Sequence, residues 1–292
     1  MLPKVVFIFV FVSLFDHFLA ISTPPSACDV FSSKSKLAPT PHNRRSPINV
    51  ITKTATKIHV NSSLIIENGI LTPLKVVNTG YALEAYSYDV DHSTIQTHGG
   101  VLCDKTYIFY KVVFYTSDHP EISSYTQIDG KGSPLTLGLI YFNQAYGSFN
   151  ESLNHSDGLV IQYFQIGFAP TRSPLFFPFK SLFPLLRKPN SHITLPAIVV
   201  YASFNKLSVL YGYYAYYGSY IDLSTGKQYP CAIAILADRT VYTISESQFE
   251  ESFLSLKNVH GGTLVSRQPI QETGKRKIYI ADQKLYGKFH LF

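Results

Sequence analysis

A tyrosine-rich stretch between Leu195 and Leu236 places the tightest constraint on what this chain can fold into. Seven of the protein's 21 tyrosines fall between Tyr201 and Tyr220. Aromatic and β-branched residues at this density favour strands, and turn-forming residues at 204–206 and 222–226 divide the stretch into three. Because tyrosines occupy both alternating faces of the middle strand, we predict a strand that is covered on both sides in the middle of a sheet.

The remaining chain supports a mostly β fold. Apolar segments recur between turns rich in Gly, Asn, Asp and Pro, and the densest of them is 106–116. One helix is predicted near the C-terminus, where the spacing of Ser245 and Gln248 matches a capping box and Phe249 and Phe253 share the next helical face. We therefore expect an antiparallel sandwich or barrel of about 12 to 15 strands, with one C-terminal helix and a long Pro/Phe-rich crossover loop.

The first 22 residues have the layout of a secretory signal peptide. Lys4 precedes an apolar run that is too short to span a bilayer, and the small residues Ala20 and Ser22 precede the expected cleavage site. We therefore expect a secreted, extracellular protein with no transmembrane segment in the mature chain. Residues 23–47, rich in Pro, Ser and basic residues, indicate a flexible tail or pro-segment. Residues 48–292 are predicted to form a single β-rich domain.

Three Asn-x-Ser sequons agree with secretion. They begin at Asn61, Asn150 and Asn154, and the last two share a polar stretch that is typical of an exposed loop. We therefore expect N-linked glycans on a secreted glycoprotein.

Three cysteines in an oxidising compartment predict one disulfide and one thiol that is buried or partnered. Arg44 and Arg45 form a dibasic pair that suggests processing. Cleavage there would shed Cys28 and leave Cys103 to pair with Cys231, so these last two are the disulfide candidates.

The charge distribution argues against a nucleic-acid partner. The net charge is +6, but residues 60–256 carry 11 basic and 15 acidic residues, so the basic excess lies at the two ends of the chain. A mildly acidic main body does not present the basic surface that binds phosphate backbones.

The interval 169–196 combines six prolines with many apolar residues, which excludes a central strand or a long helix. Its phenylalanines are either buried in a crossover that lies on the sheet or exposed in a docking loop for a protein partner or a membrane surface. The partner-binding candidates under the second interpretation are Phe176, Phe177, Phe179 and Phe183.

No motif indicates a catalytic residue, a metal site or a cofactor. Zinc spacings, a nucleophile elbow and a phosphate loop are all missing. The function predicted first is therefore that of a non-catalytic binding protein, with the enzyme question left open. One alternative is a secreted hydrolase whose Asp/His site is assembled in space; its candidates are Asp89, Asp91, His92, His98 and Asp118. Another is a lipid or small-ligand carrier lined by the tyrosine-rich strand, which requires a closed barrel with an internal cavity.

Overall fold

The computed structural model describes residues 24–31, 41–68, 73–87, 95–118, 124–171, 181–196, 212–238 and 242–282. Within these ranges the protein is mostly β, as predicted. The strands, numbered in chain order, are β1 (Asn49–Val50), β2 (Thr56–Lys57), β3 (Leu64–Asn68), β4 (Leu74–Asn78), β5 (Leu83–Ser87), β6 (Ile95–Gly99), β7 (Tyr107–Thr116), β8 (Gln127–Ile128), β9 (Leu135–Asn143), β10 (Leu159–Phe168), β11 (His192–Leu195), β12 (Gly212–Ile221), β13 (Gln228–Ala237), β14 (Tyr242–Ile244) and β15 (Tyr279–Asp282).

The helical elements are short. The α-helices are α1 (Ala27–Val30), α2 (Phe149–Ser152) and α3 (Glu246–Phe249), and α3 continues into a π-helical turn, Glu250–Leu254. The 3₁₀ turns are Pro41–Arg44, Thr52–Thr54, Gly100–Leu102, Gln144–Tyr146 and Phe183–Leu186. The predicted C-terminal helix begins as expected, because the Ser245 hydroxyl accepts a hydrogen bond from the Gln248 amide (3.1 Å).

One large twisted sheet holds most of the described strands. Its main order is β11-β4-β5-β7-β9-β10-β13-β12-β15-β2, with β6 and β3 attached beside β7 and β14 beside β10. Most neighbours are antiparallel, while β13 and β14 run parallel to β10 and β2 runs parallel to β15. The separate pair β1–β8 is also parallel. The architecture is thus a single large sheet, where the sequence left a sandwich and a barrel open.

The tyrosine-rich strand lies inside this sheet. β12 pairs with β13 on one side and with β15 on the other, and all ten of its residues are buried. Tyr213 and Tyr217 belong to the hydrophobic core on one face, and Tyr214 and Tyr216 belong to the core on the opposite face. The prediction of a strand covered on both sides is confirmed for these residues; Tyr201 and Tyr211 lie outside the described part of the chain.

The N-terminal segment is packed onto the sheet over its described residues. Ala27, Val30 and Phe31 are buried, and the Phe31 ring lies 5.3 Å from the ring of Tyr217. A disulfide joins Cys28, in α1, to Cys103. The expectation of a flexible tail therefore does not describe residues 24–31.

The disulfide candidates Cys103 and Cys231 are not bonded to each other, so the predicted pairing is wrong. Cys103 pairs with Cys28, and Cys231 is a free thiol buried in β13. The expectation of one disulfide and one buried thiol is confirmed, whereas the pairing proposed on the assumption that residue 28 is lost is wrong. Pairing depends on which loops meet in space, and α1 lies beside the turn that contains Cys103.

The dibasic pair sits against the body of the protein. The Arg44 side chain is buried and donates hydrogen bonds to the carbonyl oxygens of Pro230 (3.1 Å) and Ser156 (3.3 Å), while Arg45 is exposed. Processing at the Arg44–Arg45 pair remains a prediction. In this structure it would not release Cys28, because the disulfide holds that segment to the domain.

No helix in the described residues is long and apolar enough to cross a membrane.

Candidate functional site

A cluster of three tyrosines fills the middle of one sheet face. Tyr115 projects from β7, Tyr163 projects from β10, and Tyr125 lies over both of them from the segment before β8; all three are fully buried. The rings of Tyr115 and Tyr125 are stacked with centroids 4.0 Å apart, and the centroid of Tyr163 lies 5.1 Å from that of Tyr125. We call this set the tyrosine cluster.

Gly138 makes room for the tyrosine cluster. It lies in β9 between the strands that carry Tyr115 and Tyr163. A Cβ atom at Gly138 would lie 2.8 Å from Cε2 of Tyr115 and 3.4 Å from Cε1 of Tyr163. The first distance is shorter than carbon atoms tolerate, so the aromatic rings occupy the space that a side chain of β9 would otherwise fill.

The tyrosine cluster is uncharged at neutral pH. Burial raises the pKa of Tyr115, Tyr125 and Tyr163 above the ordinary value, because the charged phenolate has no water around it. The three side chains therefore remain neutral phenols, which neither act as bases nor provide the deprotonated donors that metal ions bind.

A buried ion pair lies on the neighbouring strands. Lys111 of β7 and Glu84 of β5 are 2.9 Å apart, and only 7% of each side chain is exposed. The Tyr86 hydroxyl also donates a hydrogen bond to Glu84, and burial, followed by the Glu84 charge, raises the pKa of Tyr86. The Lys111 ammonium faces the rings of Tyr86 (5.3 Å) and Tyr220 (5.5 Å).

Further aromatic rings enclose this ion pair. Tyr110 stacks on Phe149 at 3.9 Å, and the Phe149 ring meets Tyr220 edge-on at 5.5 Å. The charges of Lys111 and Glu84 are thus satisfied by each other and by rings, and the pair holds β5 and β7 in register.

A cavity of about 520 Å³ opens where the central strand β7 begins and β9 ends. It contains the buried carboxylate of Asp157, which accepts hydrogen bonds from Lys105 Nζ (2.8 Å) and from the Tyr146 hydroxyl (2.9 Å). Lys105 also donates to the Phe31 carbonyl oxygen, so it links the N-terminal segment to this end of the two strands. Both carboxylate oxygens of Asp157 are occupied by protein donors, so the cavity does not present a free acid.

The predicted Asp/His site is not assembled in the described residues. His98 on β6 pairs with Glu67 on β3 (3.0 Å), and Asp118 follows the end of β7. Asp89, Asp91 and His92 lie outside the described ranges. Nothing in the part of the chain that the structure describes brings three His, Cys, Asp or Glu side chains together in a way that could hold a metal ion.

The partner-binding candidates fall into two groups. Phe183 is buried in the core, 5.0 Å from the ring of Phe253, so it is a core residue rather than a surface anchor. Phe176, Phe177 and Phe179 lie outside the described residues. For Phe183 the buried-crossover interpretation describes the structure.

The carrier hypothesis requires the tyrosines of β12 to line a cavity. The tyrosines of β12 are packed into the two cores, and the Tyr213 hydroxyl accepts a hydrogen bond from the Val101 amide while the Tyr217 hydroxyl donates to the Val30 carbonyl. These side chains fill space and anchor loops.

The predicted glycan sites Asn61, Asn150 and Asn154 are all exposed, and their modification remains a prediction.

The sequence places the chain in a known family. Residues 33–282 match the family model of the eukaryotic-type carbonic anhydrases, so the chain belongs to that family. It is similar to human carbonic anhydrase 7, with 28% identity over 120 residues, which is 41% of this chain and 45% of that protein. The aligned region thus spans less than half the length of this curated relative.

The residues that the structure describes do not fit the zinc ion that the family implies. Carbonic anhydrases hold a catalytic zinc with three histidines. The five central strands, β7, β9, β10, β13 and β12, contain no His, Asp or Glu, and their one cysteine, Cys231, is buried with its pKa raised by burial to about 12. Together with the lack of a three-ligand group among the described residues, this donor set does not support zinc binding.

Sequence reasoning missed both the family and the Lys111–Glu84 pair. The family was missed because a histidine pattern that would reveal it is absent from the apolar strands. The ion pair did leave a trace, since Lys111 is the one charge in the densest apolar strand and Glu84 is the one charge in β5. A lone charge inside a strand that is buried on both faces indicates a buried partner.

Proposed function

We propose that this chain is a secreted, non-catalytic member of the carbonic anhydrase family that acts by binding. The observation that carries the proposal is the composition of the central sheet, whose five middle strands offer no His, Asp or Glu and one buried, protonated cysteine. A catalytic zinc site needs three protein ligands and an open position for water. The described residues provide no three-ligand group on this sheet.

The filled sheet face supports the same conclusion. The tyrosine cluster is fully buried over Gly138, and the ion pair of Lys111 and Glu84 closes the neighbouring area with rings on both sides. Neutral phenols and a compensated ion pair thus fill this part of the face. This packing supports a protein that keeps the family's fold and does not use this face for chemistry.

Secretion is part of the proposal and is supported by the N-terminal sequence and by the disulfide. Lys4, the following apolar run and the small residues before Thr23 have the form of a signal peptide. The bond between Cys28 and Cys103 is of the kind that persists in an oxidising compartment.

To test this proposal, the full chain is expressed in eukaryotic cells and the protein is collected from the medium. We expect recovery of a protein that begins near Thr23 and that does not accelerate CO₂ hydration above the buffer rate, with or without added zinc. Human carbonic anhydrase 7, assayed at the same concentration, is the positive control. A zinc-dependent hydration rate in the purified protein would overturn the non-catalytic proposal, and retention of the uncleaved chain inside the cells would overturn secretion.

A further inference from the structure

Three chain segments meet around Asn78 at one end of the sheet. The Asn78 side chain is fully buried, and its Nδ2 donates to the carbonyl oxygens of Leu186 (2.9 Å) and Lys257 (3.1 Å) while its Oδ1 accepts from the Gly80 amide (2.8 Å). The backbone amide of Val259 in turn donates to the Gly80 carbonyl (3.3 Å). We call the exposed side chains of residues 79–82, 185–188 and 257–260 the junction surface.

Apolar side chains protrude from all three segments of the junction surface. Leu185 is 61% exposed, and Tyr81 and Val259 are each 41% exposed. Leu185 is the most exposed large apolar side chain in the described residues. A single exposed apolar residue is ordinary, but three on segments that are hydrogen-bonded to one another form a patch.

The three segments of the junction surface carry basic side chains and no acidic ones, while the π-helical turn that packs on Phe183–Leu186 carries the exposed Glu250 and Glu251. Arg187, Lys188 and Lys257 are exposed, and none of the three pairs with a carboxylate among the described residues. Residues 79–82, 181–191 and 255–265 contain no Asp or Glu. Unpaired cations around protruding apolar side chains favour an occupant that offers negative charge and an apolar layer together.

From this arrangement we infer that the junction surface docks on an anionic phospholipid surface. Leu185, Tyr81 and Val259 enter the boundary between headgroups and acyl chains, and the three basic side chains lie at the headgroup phosphates. This inference specifies a target for the proposed binding function. It rests on the proposed function only in assuming that the chain acts by binding. An acidic protein segment matches the charges, but it gives no reason for exposed apolar side chains on all three segments.

A second surface of the molecule provides a matched control. Lys53, Lys131 and Lys275 are exposed, as are Ile51 and Ile270. Hydrogen bonds from Thr52 to Asp129, from Gly130 to Asn49 and from Thr273 to the Asn49 carbonyl join their three segments. This control surface has the same number of cations as the junction surface and two exposed aliphatic side chains. It differs because it also carries the carboxylates of Asp129 and Glu272.

The test is flotation of the full secreted protein with vesicles of phosphatidylcholine, with and without phosphatidylserine. We expect binding to the anionic vesicles only, weakened by added salt because the charges are exposed. A cation near an anionic membrane contributes about fivefold in partitioning, so the triple variant Arg187→Gln/Lys188→Gln/Lys257→Gln should bind roughly 100-fold more weakly. Leu185→Ser should weaken binding about tenfold.

The control variant Lys53→Gln/Lys131→Gln/Lys275→Gln should bind like the unaltered protein. Circular dichroism and thermal unfolding check that every variant is folded. Failure of the unaltered protein to float with anionic vesicles, or an equal loss in the control variant, would overturn the inference. Binding to polyglutamate without flotation, lost in the junction variant, would also overturn it and would assign the surface to an acidic protein partner. Vesicle binding does not depend on zinc, so the outcome is separate from the CO₂ hydration assay.

Discussion

At the scale of single residues, the buried Lys111–Glu84 pair is a point where a single mutation should strongly destabilise the fold. Two charges lie in a nearly dry environment, 2.9 Å apart, and each depends on the other for compensation. A buried ion pair of this kind does not add much net stability by itself, but the loss of one partner leaves an uncompensated charge. The residue that is tolerated at position 111 of β7 therefore depends on the residue at position 84 of β5.

We predict that Lys111→Met lowers the free energy of unfolding by about 3 to 5 kcal/mol, because Glu84 is left buried without its cation. The double variant Lys111→Met/Glu84→Leu should recover most of that loss, since both charges are then removed. Urea unfolding of the single and double variants measures the coupling.

The exposed pair of Glu67 and His98 is the control for this prediction. Glu67→Gln should change the free energy of unfolding by less than about 1 kcal/mol, because both side chains remain in contact with water. A Lys111→Met variant as stable as the unaltered protein, or a double variant no better than the single one, would show that the two charges are not coupled.

At the scale of elements, the disulfide decides whether the N-terminal segment belongs to the domain. It joins α1 to the turn after β6 across 75 residues of sequence, and Phe31 then packs on Tyr217 of β12 and on Tyr279 of β15. The segment thereby covers one face of the two strands at that end of the sheet.

We predict that Cys28→Ser/Cys103→Ser lowers the free energy of unfolding by about 4 kcal/mol, the loop-closure value for a loop of this length. Hydrogen exchange should show the effect locally, at the Ala27 amide that donates to the His59 carbonyl. Cys231→Ala removes the remaining cysteine and should leave that amide protected. Equal protection of Ala27 in the double serine variant would mean that packing alone holds α1.

At the scale of the whole molecule, the buried tyrosines make the fold sensitive to alkali. Burial raises the pKa of the core tyrosines on both faces of the sheet, and Tyr216 has a pKa of about 12. The unfolded chain releases these protons near pH 10. A folded pKa above the unfolded value contributes stability that is complete below about pH 10 and is lost as the pH rises through the folded values.

We therefore predict that the protein begins to lose stability near pH 10 and unfolds cooperatively as the pH rises to about 12 and beyond. The tyrosinate absorbance should rise together with the loss of the near-ultraviolet circular dichroism. In guanidinium chloride the same absorbance should titrate near pH 10 without a cooperative step. Complete titration of the tyrosines while the circular dichroism is unchanged would contradict the burial of these hydroxyls.

Local pattern was sufficient for the elements and insufficient for the site. The parity of the tyrosines in β12 predicted burial on both faces, and Ser245 predicted the start of α3, because both features depend on a few neighbouring residues. The partner of Cys103 and the filling of the space over Gly138 depend on strands and loops distant in sequence. Those contacts have no signature within any one segment, so the sequence left them undetermined.

The zinc content of the secreted protein tests the central claim most directly. Protein purified from zinc-supplemented medium without chelators, then dialysed against a low zinc concentration, is analysed by plasma mass spectrometry beside human carbonic anhydrase 7. We predict far less than one zinc ion per chain, because the central strands offer no three-ligand set. One tightly held zinc ion per chain, accompanied by CO₂ hydration, would contradict the account.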